Sequence, residues 1–281
     1  MTPDELARLE HENFIEAFAV AVAGTARPLV ERRDGVAIVA SGLPLRLFNE
    51  VLIEDDDADP AAIAAGVEML RARGDRFVLN LRVGTDDRFI EVARDLGLVP
   101  MDATPWLPGM AWFPLEASDP APADAAPGHV VRRVTDVAGI EDHIRTAGEA
   151  FGMPEAMVRE IMTVRMLEQP HVAVYVGYTD GQPVSTGMGC RTGRTIGVYN
   201  ISTIESARRR GYGEAMTARV VADGAAAGCD VAILQASEMG APIYERLGFR
   251  TVVEYMGYID PVPDPVVDPA PGTEPGVNPA G

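Results

Sequence analysis

The sequence predicts a mixed α/β protein of two domains, on three observations. A chain of 281 residues that is 47 % hydrophobic can bury one large core or two medium ones, which excludes a fibrous or disordered protein. A Pro/Ala/Asp stretch, EASDPAPADAAPG from Glu116 to Gly128, can neither extend a helix nor pair in a sheet, and so marks a linker at 117–128. The half that follows alternates between strand and helix periodicity in an order that makes one sheet covered by helices.

The elements of that half follow in order. His129 to Asp136 is a short β-branched run, and Val137 to Phe151 and Pro154 to Leu167 carry apolar residues at helical spacing. Val172 to Tyr178 alternates up to the Asp180-Gly181 turn, and with Pro183 to Cys190 and Thr195 to Thr203 gives three strands joined as hairpins. Gly211 to Ala227 reads as a helix, Val231 to Gln235 as a buried strand, Ala241 to Leu247 as a short helix and Arg250 to Ile259 as a closing strand. The acidic, Pro-rich run 260–281 has the composition of a disordered tail.

Residues 1–116 end like a faint copy of 129–259. Phe77 to Leu81, Phe89 to Leu96 and Gly97-Leu98 parallel Val231 to Gln235, Ile243 to Leu247 and Gly248-Phe249, which suggests an internal duplication or two unrelated domains with a common type of ending.

Charge and cysteine content narrow the function. All 24 basic residues are Arg, against 42 acids, for a net charge of −18, so a surface that tracks nucleic-acid phosphates is not expected. The first half carries 11 Arg and 21 acids and the second 13 and 15, so most of the excess negative charge lies outside the second half. Two cysteines, Cys190 and Cys229, fit buried structural thiols in a reducing cytoplasm better than a disulfide framework or a metal site. The acidic start Met1 to Glu12 and the short apolar patch Ala17 to Ala23 suit neither a signal peptide nor a membrane span.

The sharpest chemical signal is Arg208-Arg209-Arg210-Gly211-Tyr212-Gly213-Glu214-Ala215, between a strand and a helix. Unpaired N–H groups at a helix start, reinforced by the helix dipole, suit a diphosphate. Glycine at 211 and 213 permits positive φ and lets a ligand approach, and the arginines add charge. Turn chemistry alone is the competing reading. A Rossmann fingerprint and a Walker loop both fail on glycine spacing and on the absence of Lys.

With Tyr244-Glu245-Arg246-Leu247-Gly248-Phe249 about thirty residues further on, the Arg208-x-x-Gly211-x-Gly213 run resembles the GCN5-related N-acetyltransferase (GNAT) family over 129–259, and 1–116 resembles a degenerate second copy. The resemblance implies two GNAT-like domains, each a mixed, mostly antiparallel sheet flanked by helices. It implies acyl transfer from acetyl-CoA to an amine by direct attack, with a small-molecule or peptide amine as acceptor and neither a metal nor a membrane or nucleic-acid partner. The backbone of Ile201, Ser202 and Thr203 would pair with pantetheine, and Arg209 to Glu214 would hold the pyrophosphate. Glu205 and Arg209 depart from the family's usual Pro and Gly, and Ser237 stands where Asn is frequent.

Tyr244 falls at the family's general acid, and the chemistry supports it independently. A leaving thiolate, with a thiol pKa of about 8.5, needs a nearby donor, and a phenol with a pKa of about 10 serves. A general base is harder to find. The strand Gly197 to Thr203 has no carboxylate, which leaves Tyr199 or Asn200 through a water, or a carboxylate from elsewhere. His143 and His171 read as a helix-surface residue and a residue leading into a strand. The missing carboxylate also keeps open a non-catalytic acyl-CoA-binding module.

In the first half Ala93 takes the place of Tyr244, and Asp55-Asp56-Asp57-Ala58-Asp59-Pro60 replaces the Gly/Arg loop, so that copy is expected not to bind CoA. Walling the acceptor site or forming a homodimer surface are its expected roles. Phe48, Trp106 and Trp112 could serve either, or be ordinary packing.

Overall fold

The computed structural model describes residues 1–115, 128–237 and 240–261. The linker 117–128, apart from Gly128, and the tail beyond Pro261 lie outside the described residues. In chain order the elements are α1 (Pro3–Val22), β1 (Leu29–Arg33), β2 (Val36–Ala40), β3 (Asn49–Ile53), α2 (Pro60–Arg73), β4 (Val78–Arg82), α3 (Ile90–Asp95), β5 (Val99–Pro100) and β6 (Leu107–Trp112). They continue with β7 (His129–Arg133), α4 (Val137–Phe151), α5 (Glu155–Ile161), β8 (Val172–Thr179), β9 (Gln182–Thr192), β10 (Thr195–Thr203), α6 (Tyr212–Ala226), β11 (Val231–Gln235), α7 (Ala241–Leu247) and β12 (Arg250–Ile259).

The chain forms two compact units. Among the described residues unit 1 takes Met1–Ala111, Leu234–Pro242 and 250–261, and unit 2 takes Trp112–Ile233 and Ile243–Phe249. No single cut in the chain separates them. The last strand, β12, joins unit 1, where Tyr255 lies opposite both Arg82 of β4 and Leu107 of β6.

In unit 1, β1, β2 and β3 run antiparallel, β3 and β4 parallel, and β12 antiparallel to both β4 and β6. Period-two alternation sorts its apolar residues onto two faces. Val36, Ile38, Val51 and Ile53 pack with Ile63, Val67 and Leu70 of α2, whereas Ala37, Val39 and Leu52 pack with Phe14, Ile15 and Val22 of α1. Thr2 and Glu5 form a reciprocal capping box at the start of α1, with Pro3 in its first turn.

The α1 face also buries a polar cluster. The Tyr255 hydroxyl lies 2.9 Å from His11 Nδ1 and 2.7 Å from Glu10 Oε2, and His11 Nε2 lies 2.6 Å from the Ile53 carbonyl. That carbonyl can only accept, so Nε2 carries a proton, and a neutral imidazole must then accept at Nδ1 from Tyr255. Tyr255 has one proton, so Glu10 completes the chain as a protonated carboxyl. Burial pushes Glu10 up to about 7 and His11 down to about 3, in line with this arrangement. Glu50 is also buried and is raised to about 8, although it accepts from Asn80 at 2.7 Å.

In unit 2, β7, β8, β9 and β10 run antiparallel in that order, and β10 pairs in parallel with β11. Each unit is therefore a mixed, mostly antiparallel sheet with helices, as expected. The helix α6 lies close on its sheet, because a Cβ at Gly224 would come within 2.6 Å of Ile196. The helix α4 begins where Asp136 accepts from the Gly139 amide at 2.9 Å and ends at Gly152, φ 65°.

Two expectations need correction. The helix expected from Pro154 to Leu167 is α5 followed by a separate 3-10 turn at Val164–Glu168, because Met162 and Thr163 are extended. His143 is not on a helix surface. It is fully buried with Ile140, Ile144 and Ala147, its Nδ1 donates to the Tyr175 carbonyl at 3.1 Å, and burial lowers its pKa to about 4. The spacing 140, 143, 144, 147 is that of an inward helix face. Cys190 and Cys229 are buried, as expected.

Candidate functional site

The site is built on the strand β10 and the turn that follows it. Among the described residues β10 pairs in parallel with β11 through Thr195↔Val231, Ile196↔Ala232 and Gly197↔Ile233. On its other side the pairing with β9 shifts between Tyr199 and Ser202, where Asn200 takes φ 52°. A bulge of this kind bends the strand and re-aims its peptide groups. Among the described residues Ile201, Ser202 and Thr203 have no strand partner on the β11 side of β10.

The side chains of the 201–203 stretch are differently placed. Ser202 is buried and lies 2.7 Å from Thr186 Oγ1, whose own proton goes to the Asn200 carbonyl at 2.9 Å, so Ser202 must donate to Thr186. Its hydroxyl proton is therefore already committed. Ile201 and Thr203 flank the start of α6, each 3.8 Å from where a Cβ on Gly213 would stand.

The helix start itself is open. Gly211, at φ 79°, is the N-cap and supplies no side-chain cap. Among the described residues the amides of Arg209, Arg210, Gly211, Tyr212, Gly213 and Glu214 have no hydrogen-bond acceptor, and the first helical bond runs from Ala215 to the Gly211 carbonyl at 2.9 Å. Donors in that state, at the positive end of the helix dipole, favour an anion.

The three arginines have separate tasks. Arg208 holds the loop, since its Nε donates to the Thr203 carbonyl at 3.2 Å and its Nη2 to the Ala150 carbonyl, near the end of α4, at 3.0 Å. Arg210 folds back on the Ser206 carbonyl at 3.3 Å. Arg209, turned outward at φ 62°, is exposed and makes no hydrogen bond or ion pair among the described residues. Tyr212 is an anchor rather than a ligand-facing group. It is buried, with its ring stacked on His129 at 4.1 Å and packed on Val184 and Ala207.

The helix α7 carries Tyr244. Arg246 Nη2 lies 3.8 Å from Glu214 Oε2 in the first turn of α6, which ties the two helices. The Tyr244 ring is partly buried and meets Phe249 edge-on at 6.0 Å. Burial pushes the phenol up to about 12, so it stays protonated across the working range of pH. Ser237 belongs to the Leu234–Pro242 run of unit 1, where it is exposed and its hydroxyl accepts from the Gly240 amide at 3.2 Å. Its role there is a turn cap leading into α7.

No carboxylate joins this group from β10. In unit 2, Asp142 accepts from Tyr178 at 2.7 Å and Asp223 from Tyr175 at 2.8 Å, so both face other partners. Tyr199 and Asn200 are partly buried on β10. Among the described residues no cluster of His, Cys, Asp or Glu could hold a metal ion, and no helix is long and apolar enough to cross a membrane.

The equivalent turn in unit 1 is arranged in the opposite way. β3 and β4 also pair in parallel over three residues, Glu50↔Val78, Val51↔Leu79 and Leu52↔Asn80, and α2 follows β3 as α6 follows β10. There Asp59 caps the helix by accepting from Ala61 at 2.8 Å, the Asp59 carbonyl takes the Ala62 amide at 2.9 Å, and Pro60 has no N–H. The Glu54, Asp55, Ala58 and Asp59 amides are also bonded to backbone carbonyls.

A β-strand that ends, among the described residues, without a strand partner on one side and runs into an uncapped helix defines the class as a two-unit α/β protein of the N-acetyltransferase fold. A GCN5-related N-acetyltransferase from Kribbella flavida superposes with a TM-score of 0.66 at 17% identity, over 90% of this chain and 96% of that one. A GCN5-related N-acetyltransferase from Sphaerobacter thermophilus gives 0.59 at 15%, over 82% and 81%. A tandem GNAT protein from the clavulanic acid biosynthesis pathway gives 0.57 at 12%, over 91% and 94%. Residues 170–251 match the model of the acetyltransferase (GNAT) domain. No curated protein matches the chain.

Proposed function

We propose that the chain is an acetyl-CoA-dependent N-acyltransferase whose acyl donor binds to unit 2, and that the unit 1 copy binds no CoA. The observation that carries this reading is the run of unpartnered amides from Arg209 to Glu214. A coenzyme pyrophosphate would accept from them, with Arg209 as the adjacent free cation. The pantetheine amides would pair with the β11 side of β10 at Ile201, Ser202 and Thr203, as an added strand does.

In the reaction the acceptor nitrogen attacks the thioester carbon, the C–N bond forms, and the C–S bond breaks with its electron pair left on sulfur. The Tyr244 hydroxyl supplies the proton to that sulfur and regains one from solvent. Burial raises the phenol, but it raises a thiol in the same surroundings as well, so donor and leaving group stay matched. The acceptor must lose a proton before attack, and a water held by Tyr199 or Asn200, or a carboxylate from elsewhere, is the candidate route. The retained phenol favours transfer over simple CoA binding.

Calorimetry with acetyl-CoA, followed by thiol release from acetyl-CoA with lysine, spermidine, a short peptide and an aminoglycoside as acceptors, tests the proposal. Saturable heat with amine-dependent thiol release is expected. Heat without any release would leave a CoA-binding module, and no heat would reject both.

A further inference from the structure

We propose that Trp112 is a positioning residue for the Tyr244 acid, holding the Leu247-Gly248-Phe249 turn from which the phenol ring takes its orientation. This inference rests on the acyltransferase reading for its functional part and on geometry for the rest. Trp112 ends β6, more than a hundred residues before Tyr244 in sequence, yet both belong to unit 2. Its indole meets the Phe249 ring edge-on at 5.7 Å, and Phe249 in turn meets the Tyr244 ring edge-on at 6.0 Å. The three rings form a chain with Phe249 fully buried in the middle.

The indole also lies over the backbone of Gly248. A Cβ there would come within 3.1 Å of Trp112 Cε2, and Gly248 has φ 118°, so the backbone favours glycine and the ring leaves a side chain little room. The turn beneath is closed by the Gly248 and Phe249 amides, which donate to the Tyr244 carbonyl at 3.2 and 3.0 Å. Trp112 therefore presses on the peptide that terminates α7 and on the ring that touches the phenol. Downstream, Leu115 donates to the Asp230 carbonyl at 2.9 Å, and the Asp230 carboxylate pairs with Arg194, which pins the segment carrying the indole. Aromatic contacts of this kind are directional, so losing one end of the chain releases the other.

The test compares Trp112→Ala and Trp112→Phe with the native chain in two ways. The first is the rate of Tyr244 nitration by tetranitromethane at pH 8, read by peptide mass spectrometry with the buried Tyr175 as internal control for global loosening. Trp112→Ala should nitrate Tyr244 several-fold faster with Tyr175 unchanged, and Trp112→Phe should return it towards native. An unchanged Tyr244 rate, or acceleration of Tyr244 and Tyr175 together, overturns the proposal.

The second is steady-state thiol release. A misplaced acid should lower kcat by about tenfold or more while KM for acetyl-CoA stays within about twofold, and the loss should largely vanish in a Tyr244→Phe background. Equal losses in both backgrounds would also overturn it. If Tyr244→Phe itself retains native kcat, the assignment of the acid fails, whereas the nitration result still reports on the contact.

Discussion

The two halves carry the same strand-turn-helix step and finish it in opposite ways. In unit 1, Asp59 and Pro60 close the start of α2, by a carboxylate that accepts and a residue that cannot donate. In unit 2, Gly211 leaves α6 uncapped, and the amides from Arg209 to Glu214 are available. A helix start can be stabilised by its own side chain or left for a ligand, and the same donors cannot do both. On the proposed reading, local stability and binding are divided between the two helix starts.

The comparison breaks first at the phenol. Tyr244→Phe should lower kcat about a hundredfold with a much smaller change in acetyl-CoA affinity, while Ala93→Tyr in the other copy should add no activity. A change confined to affinity would remove the acid role. Closing the open helix start is the next largest effect. Gly213→Asp has room for its Cβ, but sets a carboxylate among the open amides of the helix start, so on the proposed reading KM for acetyl-CoA should rise about tenfold or more. Thermal melting should meanwhile move by less than about 2 °C.

The arginines sharpen the contrast further. Arg209→Ala should raise KM about threefold, an effect that shrinks with added salt. Arg208→Ala should instead lower the melting temperature by about 2–4 °C, because it frees the loop from the Ala150 and Thr203 carbonyls. Matching losses of affinity in the two variants would contradict the separation of their roles.

The smallest effect concerns pH. Glu10 and Glu50 have folded values of about 7 and about 8, above their ordinary 4.5, so the protonated forms support unit 1. That support is complete below pH 4.5 and gone once pH has passed about 8. His11 has the opposite sign, with a value of about 3 against an ordinary 6.5, so its contribution is present above 6.5 and lost as pH falls through 3. Melting of unit 1 should therefore decline between pH 6.5 and 8, and Glu50→Gln should flatten the decline. A flat native profile over that range would show that these carboxyls titrate normally.

Much of this was legible in the sequence because it is local. Strand alternation and helix spacing define β8 to β11 and α6, and the glycines at 211 and 213 mark the open turn. The destination of β12 was not legible, since an apolar strand reads the same whichever sheet it completes. The separation of Arg208, Arg209 and Arg210 was hidden for another reason: three identical residues acquire different surroundings only through the positive φ at Arg209. Trp112 carried no signal of its link to Gly248, which depends on a contact distant in sequence. The capping box at Thr2 and Glu5 and the inward spacing around His143 were both present in the sequence as patterns.

The most direct test is amide mapping of the full chain by 15N-edited NMR during titration with CoA. The account predicts saturable shifts for the amides of Arg209 through Glu214 and for Ile201 to Thr203, with Asp59 to Ile63 unmoved. Shifts centred on the start of α2, or none at the start of α6, would contradict it.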